Sequence, residues 1–333
     1  TVIYVYSDAN GCINSDTALM TVNPNPVLTI TNNTPSLCAA DTTDIHLSAD
    51  LTGTTFSWTA SCASANITGF SSGTGDSIKQ VLVNSGYTPE TVRYIITGQN
   101  LNCFSQPETI DVTVNPVPDL SNSPAAKAIC DNTGPNVTLT SHVANTQFTW
   151  TCTASSANVT GFSDNTVPTT TLDQTLDNTG YDIENVTYHL TPIANDCYGP
   201  VMNYTVTVYP TADLSNFPLS KPICDSTNTN ITLTSNVAST QFTWTCSPSS
   251  ANVTGWANNA DSTITLDQTL DNTGYNIETV TYHILPAANL CNGEPANFVV
   301  TVNPTANLSN DPPSNEQCDS LPTNITLTSD VAG

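Results

Sequence analysis

Carboxylates and a histidine cluster in one segment that the 333-residue chain contains twice. TLDQTLDNTGYDIENVTYH begins at Thr171, and its near-copy TLDQTLDNTGYNIETVTYH begins at Thr265. The first copy places Asp177, Asp182 and Glu184 around one turn, and calcium prefers such clustered carboxylate oxygens as ligands. These three residues are the metal candidates, although the segment lacks the D-x-D-x-D-G spacing of a dedicated calcium loop.

A diverged third copy indicates that the segment is scaffold. KQVLVNSGYTPETVRYII keeps the frame Q-x-L-x-N-[ST]-G-Y-x-x-E-x-V-x-Y. Ile95 stands where the middle copy has His189, and Glu90 is the one candidate acid that this copy retains. The acids vary while Leu, Gly, Tyr and Val persist, the reverse of what a site requires. We therefore expect no metal and no cofactor.

Catalysis is not indicated either. A glycosidase needs two carboxylates at a defined separation, and a nucleophilic triad needs Ser or Cys, His and a carboxylate brought together. Four histidines are present, and none lies in a nucleophile motif: His46 and His142 on predicted strands B, His189 and His283 on predicted strands F. We read them as surface or edge residues, assign no catalytic residue and expect no enzyme.

The charge balance excludes several partners. Lys and Arg number 4 against 28 Asp and Glu, for a formal net charge of -24. Nucleic acids and anionic membrane surfaces both bind proteins through Lys and Arg, so neither is expected as a partner. No apolar run approaches 18 residues, which argues against direct membrane insertion. The N-terminal TVIYVYSDANGC reads as the middle of a strand, as in a window from a longer protein.

The elements that would position these side chains repeat with a long period. Trp58, Trp150 and Trp244 are spaced 92 and 94 residues apart. Cysteines and strand-closing prolines keep the same spacing. We predict complete units at 25–116, 117–210 and 211–304, with the end of a preceding unit at 1–24 and the start of a following unit at 305–333. A period this long corresponds to a whole domain in a tandem array.

Within each unit, apolar and polar residues alternate. QFTWTCT and NVTYHLT are rich in Thr, Val and Tyr with period 2, and Asn, Gly, Pro and Asp separate the segments. About seven short strands with a Trp on the third indicate an all-β fold of immunoglobulin-like sandwiches in a linear array. The predicted core residues are Trp58, Trp150 and Trp244 with Tyr94, Tyr188 and Tyr282. We expect each Tyr to hydrogen-bond across the E–F corner, and Gly180 to take a positive φ there.

The repeats carry a family resemblance. Units of the form IC…NVTLTSNVA…FTWT…ANVTG…TLDQTL…VTYHLTP…VTV-P resemble the PKD-like and Ig-like repeats of very large surface proteins of Bacteroidota. Those proteins are exported by type IX secretion and include mobile adhesins of gliding bacteria. The resemblance implies an extracellular location on the bacterial outer surface. It also brings an O-glycosylation motif, D-[ST]-[AILVMT], matched at Thr17, Thr42, Ser77, Ser226, Ser262 and Ser320.

Eleven cysteines with little Lys suggest an oxidising compartment, and no C-x2-C or C-x4-C spacing supports zinc. Each unit has a first cysteine before strand B, a second after the Trp and a third in the F–G loop. These are Cys38, Cys62 and Cys103, then Cys130, Cys152 and Cys197, then Cys224, Cys246 and Cys291.

The disulfide pairing stays open between alternatives. Strand B begins and strand C ends at one pole of a sandwich, with the F–G loop at the other. This geometry favours first with second: Cys38–Cys62, Cys130–Cys152 and Cys224–Cys246. The two-cysteine pattern of the resembled family implies first with third. Links between neighbouring units and free thiols are further alternatives.

Three functions remain. The leading hypothesis is a stalk segment that projects an adhesive tip, in gliding motility for instance, with neighbouring repeats as its immediate partners. The second is a repeated binding module for surface polysaccharide or cell-surface proteins. That function requires exposed loop aromatics, for which Phe162, Trp256 and Tyr198 are the few candidates. The third, an ancillary region of a secreted enzyme, has no supporting sequence feature.

Overall fold

A computed structural model describes residues 1–311 and 316–331 of the chain. Residues 312–315 and 332–333, which fall in the predicted following unit 305–333, lie outside the described residues. The described residues form strands and no helix, which confirms the all-β prediction. Among them, no helix of a length and apolarity suited to crossing a membrane is found.

The strands repeat unit by unit. A hairpin of β1 (Val2–Ser7) and β2 (Ile13–Ala18) comes first. The first unit contains β3 (Leu28–Asn32), β4 (Ser36–Cys38), β5 (Ile45–Ala49), β6 (Thr55–Ser61), β7 (Ile67–Thr68), β8 (Gly73–Thr74), β9 (Ser77–Ile78), β10 (Val83–Asn84), β11 (Glu90–Asn100), β12 (Cys103–Phe104) and β13 (Glu108–Asn115).

The second unit contains β14 (Ala126–Cys130), β15 (Val137–Thr138), β16 (Gln147–Ala154), β17 (Val159–Thr160), β18 (Asn165–Thr169), β19 (Thr171–Leu172), β20 (Asp177–Asn178), β21 (Glu184–Ala194), β22 (Cys197–Tyr198) and β23 (Met202–Tyr209). The third contains β24 (Ser220–Cys224), β25 (Thr227–Asn228), β26 (Ile231–Thr232), β27 (Gln241–Pro248), β28 (Val253–Thr254), β29 (Asn259–Thr263), β30 (Thr265–Leu266), β31 (Thr269–Asn272), β32 (Glu278–Ala288), β33 (Cys291–Asn292) and β34 (Ala296–Asn303).

Each unit is a sandwich with one large sheet. The large sheets have the orders β4-β13-β11-β6-β8, β14-β23-β21-β16-β18 and β24-β34-β32-β27-β29. The first strand of each pairs in parallel with the last long strand of its unit, and the central strands are antiparallel. Smaller sheets complete each unit, among them β3-β5-β9, β15-β19 and β25-β31-β28. This is the immunoglobulin-like arrangement expected from the alternation.

Three separate cores follow from the alternating pattern. In the central strand β21, residues from Glu184 to Ala194 alternate between buried and half-buried, so one face enters the core. Trp150, on the neighbouring strand β16, lies opposite Leu190 of β21. The three tryptophans are 6–8% exposed, and Tyr94, Tyr188 and Tyr282 are fully buried. Each unit has its own hydrophobic cluster, so the units form three sandwiches in series.

The buried tyrosine hydroxyl donates to a glutamine side chain, and this bond replaces the one expected across the E–F corner. In the middle unit, Tyr188 Oη donates to Gln174 Oε1 at 3.1 Å. Gln174 Nε2 in turn donates to the carbonyl of Ser163 at 2.9 Å, and Trp150 Nε1 donates to that same carbonyl at 3.1 Å. The other units repeat these bonds. This Trp–Gln–Tyr network explains why Gln persists in the frame.

The positive-φ prediction for Gly180 is wrong. The glycine in the left-handed region is Gly161, with φ of +88°, and a Cβ there would lie 2.1 Å from the carbonyl oxygen of Thr175. Gly180 is needed for a different reason: its Cα faces the Asn158 side chain, whose Nδ2 would be 2.9 Å from an added Cβ. The turn is held instead by Asn178, whose Nδ2 donates to the carbonyls of Asp182 and Val208.

Candidate functional site

The principal chemistry of the chain lies at the junctions between units. Cys38 of the first unit is bonded to Cys197 of the second, and Cys130 of the second to Cys291 of the third. The pairs are 159 and 161 residues apart in sequence, with Cα atoms 5.6 Å apart in both. In both pairs, therefore, the first cysteine of one unit is bonded to the third cysteine of the next unit.

The predicted pairing of first with second cysteines is corrected by the sheet order. The strand of the first cysteine is the edge strand β4, and the second cysteine follows β6, three positions along the same sheet. Three strand spacings are about 14 Å, twice the Cα separation that a disulfide tolerates. Cys38–Cys62 and Cys130–Cys152 therefore do not form, and Cys224 and Cys246 are both free thiols.

The alternative of first with third cysteine inside one unit fails for a different reason. Cys38 pairs in register with Asn115, the last residue of β13. Cys103 precedes the start of that strand, in the short strand β12. The two cysteines lie at opposite ends of an eight-residue strand, about 25 Å apart at the usual rise. The next unit brings its own F–G loop to the pole where Cys38 lies, which is why the bond joins neighbours.

A glycine two residues after the third cysteine lets the F–G loop approach the linker that precedes its unit. A Cβ on Gly199 would lie 1.9 Å from the carbonyl oxygen of Pro118, and one on Gly293 would lie 1.8 Å from that of Ala212. Both separations are far below van der Waals contact. A polar crevice of about 440 Å³ opens beside the Cys38–Cys197 bond, lined from the second unit by Asn195 and Asp196.

Aspartate after the first cysteine fastens the chain where it leaves a unit. Asp131 accepts hydrogen bonds from the backbone N–H of Asn178 at 2.7 Å and from Thr211 Oγ1 at 2.8 Å. Asp225 does the same with Asn272 and Thr305, at 2.7 and 2.9 Å. Two successive junctions therefore share one construction around the first cysteine.

An aromatic contact adds to the junction between the first two units. The ring of Tyr87, in the E–F turn, stacks on His142 of the second unit with centroids 4.8 Å apart. His142 Nδ1 is 2.6 Å from Asp119 Oδ2. Burial alone would raise the pKa of Asp119, but hydrogen bonds from His142 and Ser141 hold it below its usual value. The third unit has Asn236 bonded to Asp213 in the corresponding place.

The remaining histidines make local contacts. His46 lies 3.1 Å from Asp44, and half of its side chain is exposed. His189 Nδ1 is 2.8 Å from Asn203 Oδ1, and its Nε2 is 3.2 Å from Thr153 Oγ1. His283 repeats that pattern with Asn297 and Ser247. Within the part of the chain that the structure describes, none of these three rings contacts both a hydroxyl or thiol and a carboxylate, the combination that a triad requires.

The second cysteines are free thiols. Cys152 is half-buried; its backbone N–H donates to Asp164 Oδ1 at 2.8 Å, and its Sγ lies 3.4 Å from the same oxygen. Burial, with a smaller contribution from that carboxylate, raises the pKa of the Cys152 thiol to about 11. Burial likewise raises the pKa of Cys246 to about 11. A thiol that stays protonated is a poor nucleophile, so these residues are part of the packing.

The metal candidates do not assemble. Over residues 1–311 and 316–331, no group of three or more His, Cys, Asp or Glu side chains could hold a metal ion. Glu184 instead turns inward, where it accepts hydrogen bonds from Ser155 Oγ and Ser156 Oγ, and these bonds lower its pKa. Asp177 is half-buried and Asp182 exposed. The expectation of no cofactor stays a prediction.

The candidate glycosylation residues are mostly accessible. Ser77 is half-buried, and the other five are exposed: Thr17, Thr42, Ser226, Ser262 and Ser320. Accessibility is necessary for modification and does not show it, so these sites stay predictions.

The loop aromatics divide into two groups. Phe162 and Trp256 pack against the cores of their units, so neither is a free binding platform. Tyr198 is 68% exposed. It borders a groove of about 520 Å³ that Trp150 and His189 also line, and the third unit has a similar groove at Trp244 and His283.

One family matches the chain in all three units. The family described as PKD-like domain matches residues 35–118, 127–212 and 221–306. The unit boundaries predicted from the repeat stay predictions; the predicted units begin ten residues before these ranges and end two residues before them. No curated protein matches the chain in sequence.

Several solved structures align with the chain at low TM-scores. The I-band fragment I67–I69 of titin aligns with a TM-score of 0.42 and 8% identity, covering 86% of this chain and 100% of that one. The Escherichia coli adhesin FdeC has a TM-score of 0.39 and 15% identity, covering 84% and 99%. Drosophila N-cadherin EC1-4 aligns with a TM-score of 0.32 and 11% identity, covering 91% of this chain and 82% of that one. At these scores none of the three bears on function.

Proposed function

Because the chain belongs to the PKD-like domain family over most of its length, we propose that it is a spacer, a stalk segment of a cell-surface adhesin that projects an adhesive tip. The observation that most supports a spacer is that two disulfides each join one unit to the next. Covalent links between neighbours resist separation and bending of the array, which a spacer needs and a set of independent binding modules does not.

The location follows from the same bonds. Disulfides persist in oxidising compartments and are rare in the cytosol, so we place the protein outside the cell. The net charge of -24 keeps an array soluble and discourages self-association. Display on the outer surface of a bacterium of the Bacteroidota, export by type IX secretion and a part in gliding rest on the resemblance of the repeat sequences. We propose no enzymatic activity, since the described histidines and acids form no catalytic arrangement.

The test of a spacer is length. A second copy of residues 117–210 inserted after Pro210 adds one unit, whose longest strand has 11 residues and spans about 36 Å before its loops are counted. We expect the maximum dimension from small-angle X-ray scattering to grow by about 35–45 Å per added unit. An added unit that folds but leaves the maximum dimension unchanged would contradict the proposal.

A second candidate function has one observation in its favour. The groove at Tyr198 combines an exposed aromatic ring with polar side chains of Asn165, Thr166 and His189, a surface that suits a sugar. Titration of the chain with surface polysaccharide fragments, followed by NMR, tests this binding module. Binding lost in Tyr198→Ala and kept in Tyr181→Ala would support it, whereas no shift at the groove would reject it.

A further inference from the structure

Cys224 is the first cysteine of the third unit, and its thiol is free and exposed. Its two counterparts, Cys38 and Cys130, are each bonded to the third cysteine of the unit that follows. We propose that Cys224 is an attachment site for the F–G cysteine of a further PKD-like unit, so that the inter-unit disulfides continue as a ladder. The proposal goes beyond a spacer role, since a spacer could be built without it.

The backbone around Cys224 is that of a bonded junction. Cys224 pairs in parallel register with Asn303, as Cys130 pairs with Tyr209. The N–H of Asp225 donates to the carbonyl of Asn303, and the N–H of Asp131 donates to that of Tyr209, both at 2.9 Å. The thiol therefore sits at the exit of its unit in the position that Cys130 has at the exit of the second.

The chain after Asn303 begins a new unit in the same way as the third unit begins. Thr305 binds Asp225 as Thr211 binds Asp131. Farther on, the N–H of Asp330 donates to Asn307 Oδ1 at 2.9 Å, as that of Asn236 donates to Asp213 Oδ1 at 2.8 Å. A complete unit seated on this start would bring its F–G loop over the exit pole of the third unit, where Cys224 lies.

The same rule assigns a partner to Cys103, the third cysteine of the first unit. Its Sγ lies 3.5 Å from the carbonyl oxygen of Asn23, against the segment that enters the unit. The first cysteine of a preceding unit would complete it. Closing either bond converts two thiols into one disulfide, and the two electrons and two protons pass to an oxidant, which in the experiment is oxidised glutathione, reduced to two glutathione molecules.

The experiment extends the chain after Gly333 with a copy of residues 240–304, which completes a fourth unit with its own F–G cysteine. The extended chain is oxidised with glutathione, digested without reduction and mapped by mass spectrometry. We expect a linked peptide pair that contains Cys224 and the appended copy of Cys291, in most of the molecules. Free Cys224 should fall to a small fraction of its level in the unextended chain.

The matched control carries Ser in place of the appended copy of Cys291 and should leave Cys224 reactive to alkylation. A folded fourth unit whose cysteine is free or bonded to Cys246 or Cys318 would overturn the proposal. If the copy of residues 240–304 does not fold, a copy of residues 146–210 replaces it, and failure of both to fold also counts against the proposal. A lengthened array without the new bond would leave the spacer function standing and reject the ladder alone.

Discussion

Gly199 lies against the carbonyl oxygen of Pro118, so closely that a Cβ would be 1.9 Å from it. The third unit reproduces this contact between Gly293 and Ala212 at 1.8 Å. In both places the glycine follows the bonded third cysteine by two residues. The F–G loop thus reaches across its own linker to the preceding unit, and a side chain at this position would lift it.

Gly199→Ala should weaken the Cys38–Cys197 bond selectively. The added methyl group must displace backbone, a change that costs about 1–3 kcal/mol in a packed site. At a fixed ratio of reduced to oxidised glutathione, the bonded fraction of Cys38 should fall while that of Cys130 is unchanged. Val201→Ala, at an exposed residue nearby, is the control. Equal loss at both junctions would show that the glycine has no local role.

Gln174→Leu should destabilise the middle unit more than Tyr188→Phe does. The leucine leaves the buried Tyr188 hydroxyl without its acceptor, at a cost of about 1–3 kcal/mol, whereas removing the hydroxyl itself costs about 0.5–1.5 kcal/mol. Hydrogen exchange of β16 and β21 amides in urea measures this unit separately. Asp182→Asn, on the exposed turn, should change nothing; the opposite ranking of the two core variants would disprove the network.

Acid should destabilise the second and third units through their inward glutamates. Hydrogen bonds from Ser155 and Ser156 lower the pKa of Glu184, and those from Ser249 and Ser250 lower that of Glu278. Because the carboxyl has a lower pKa in the folded state, it stabilises the fold at pH values above its pKa in the unfolded state, about 4.3. That stabilisation is lost as the pH falls through the pKa of the folded state. In melting curves from pH 7 to pH 2, Ser155→Ala should flatten that dependence. An unchanged pH profile would rule the contact out.

The free thiols should differ in reactivity. Burial raises the pKa of Cys152 and of Cys246 to about 11, so at pH 8 few of these thiols are ionised. Iodoacetamide should label exposed Cys12 and Cys224 first, with Cys152 and Cys246 labelled only after unfolding. Quantitative mass spectrometry measures the labelled fraction of each cysteine as a function of time. Early labelling of Cys152 would contradict the expected order and show that the second cysteine is accessible.

Much of the fold was predictable because its signals are local. Alternation in QFTWTCT places Phe148 and Trp150 on one face, and the 92–94-residue period predicts separate cores. The Gln174–Tyr188 bond was missed, although Gln and Tyr recur fourteen residues apart in all three copies of the frame. That constant pair is a signal which could have indicated the contact.

The disulfides were beyond an argument confined to one unit. Within one unit the F–G loop does lie at the pole opposite the first cysteine. In the array, however, the pole that carries Cys38 faces the F–G pole of the next sandwich. The partner of Cys38 therefore depends on how two folded units sit together, which no alternation pattern within a unit encodes.

The paired cysteines also set how far the protein can be stretched. From Cys38 a covalent route crosses to Cys197, returns along the backbone to Cys130 and crosses again to Cys291. That route contains about 67 residues and reaches at most about 235 Å, whereas the uncrossed chain between Cys38 and Cys291 contains about 253 residues and would reach about 890 Å. An oxidised tether pulled at its ends goes taut after roughly a quarter of the extension available to a reduced one, even when every sandwich has opened.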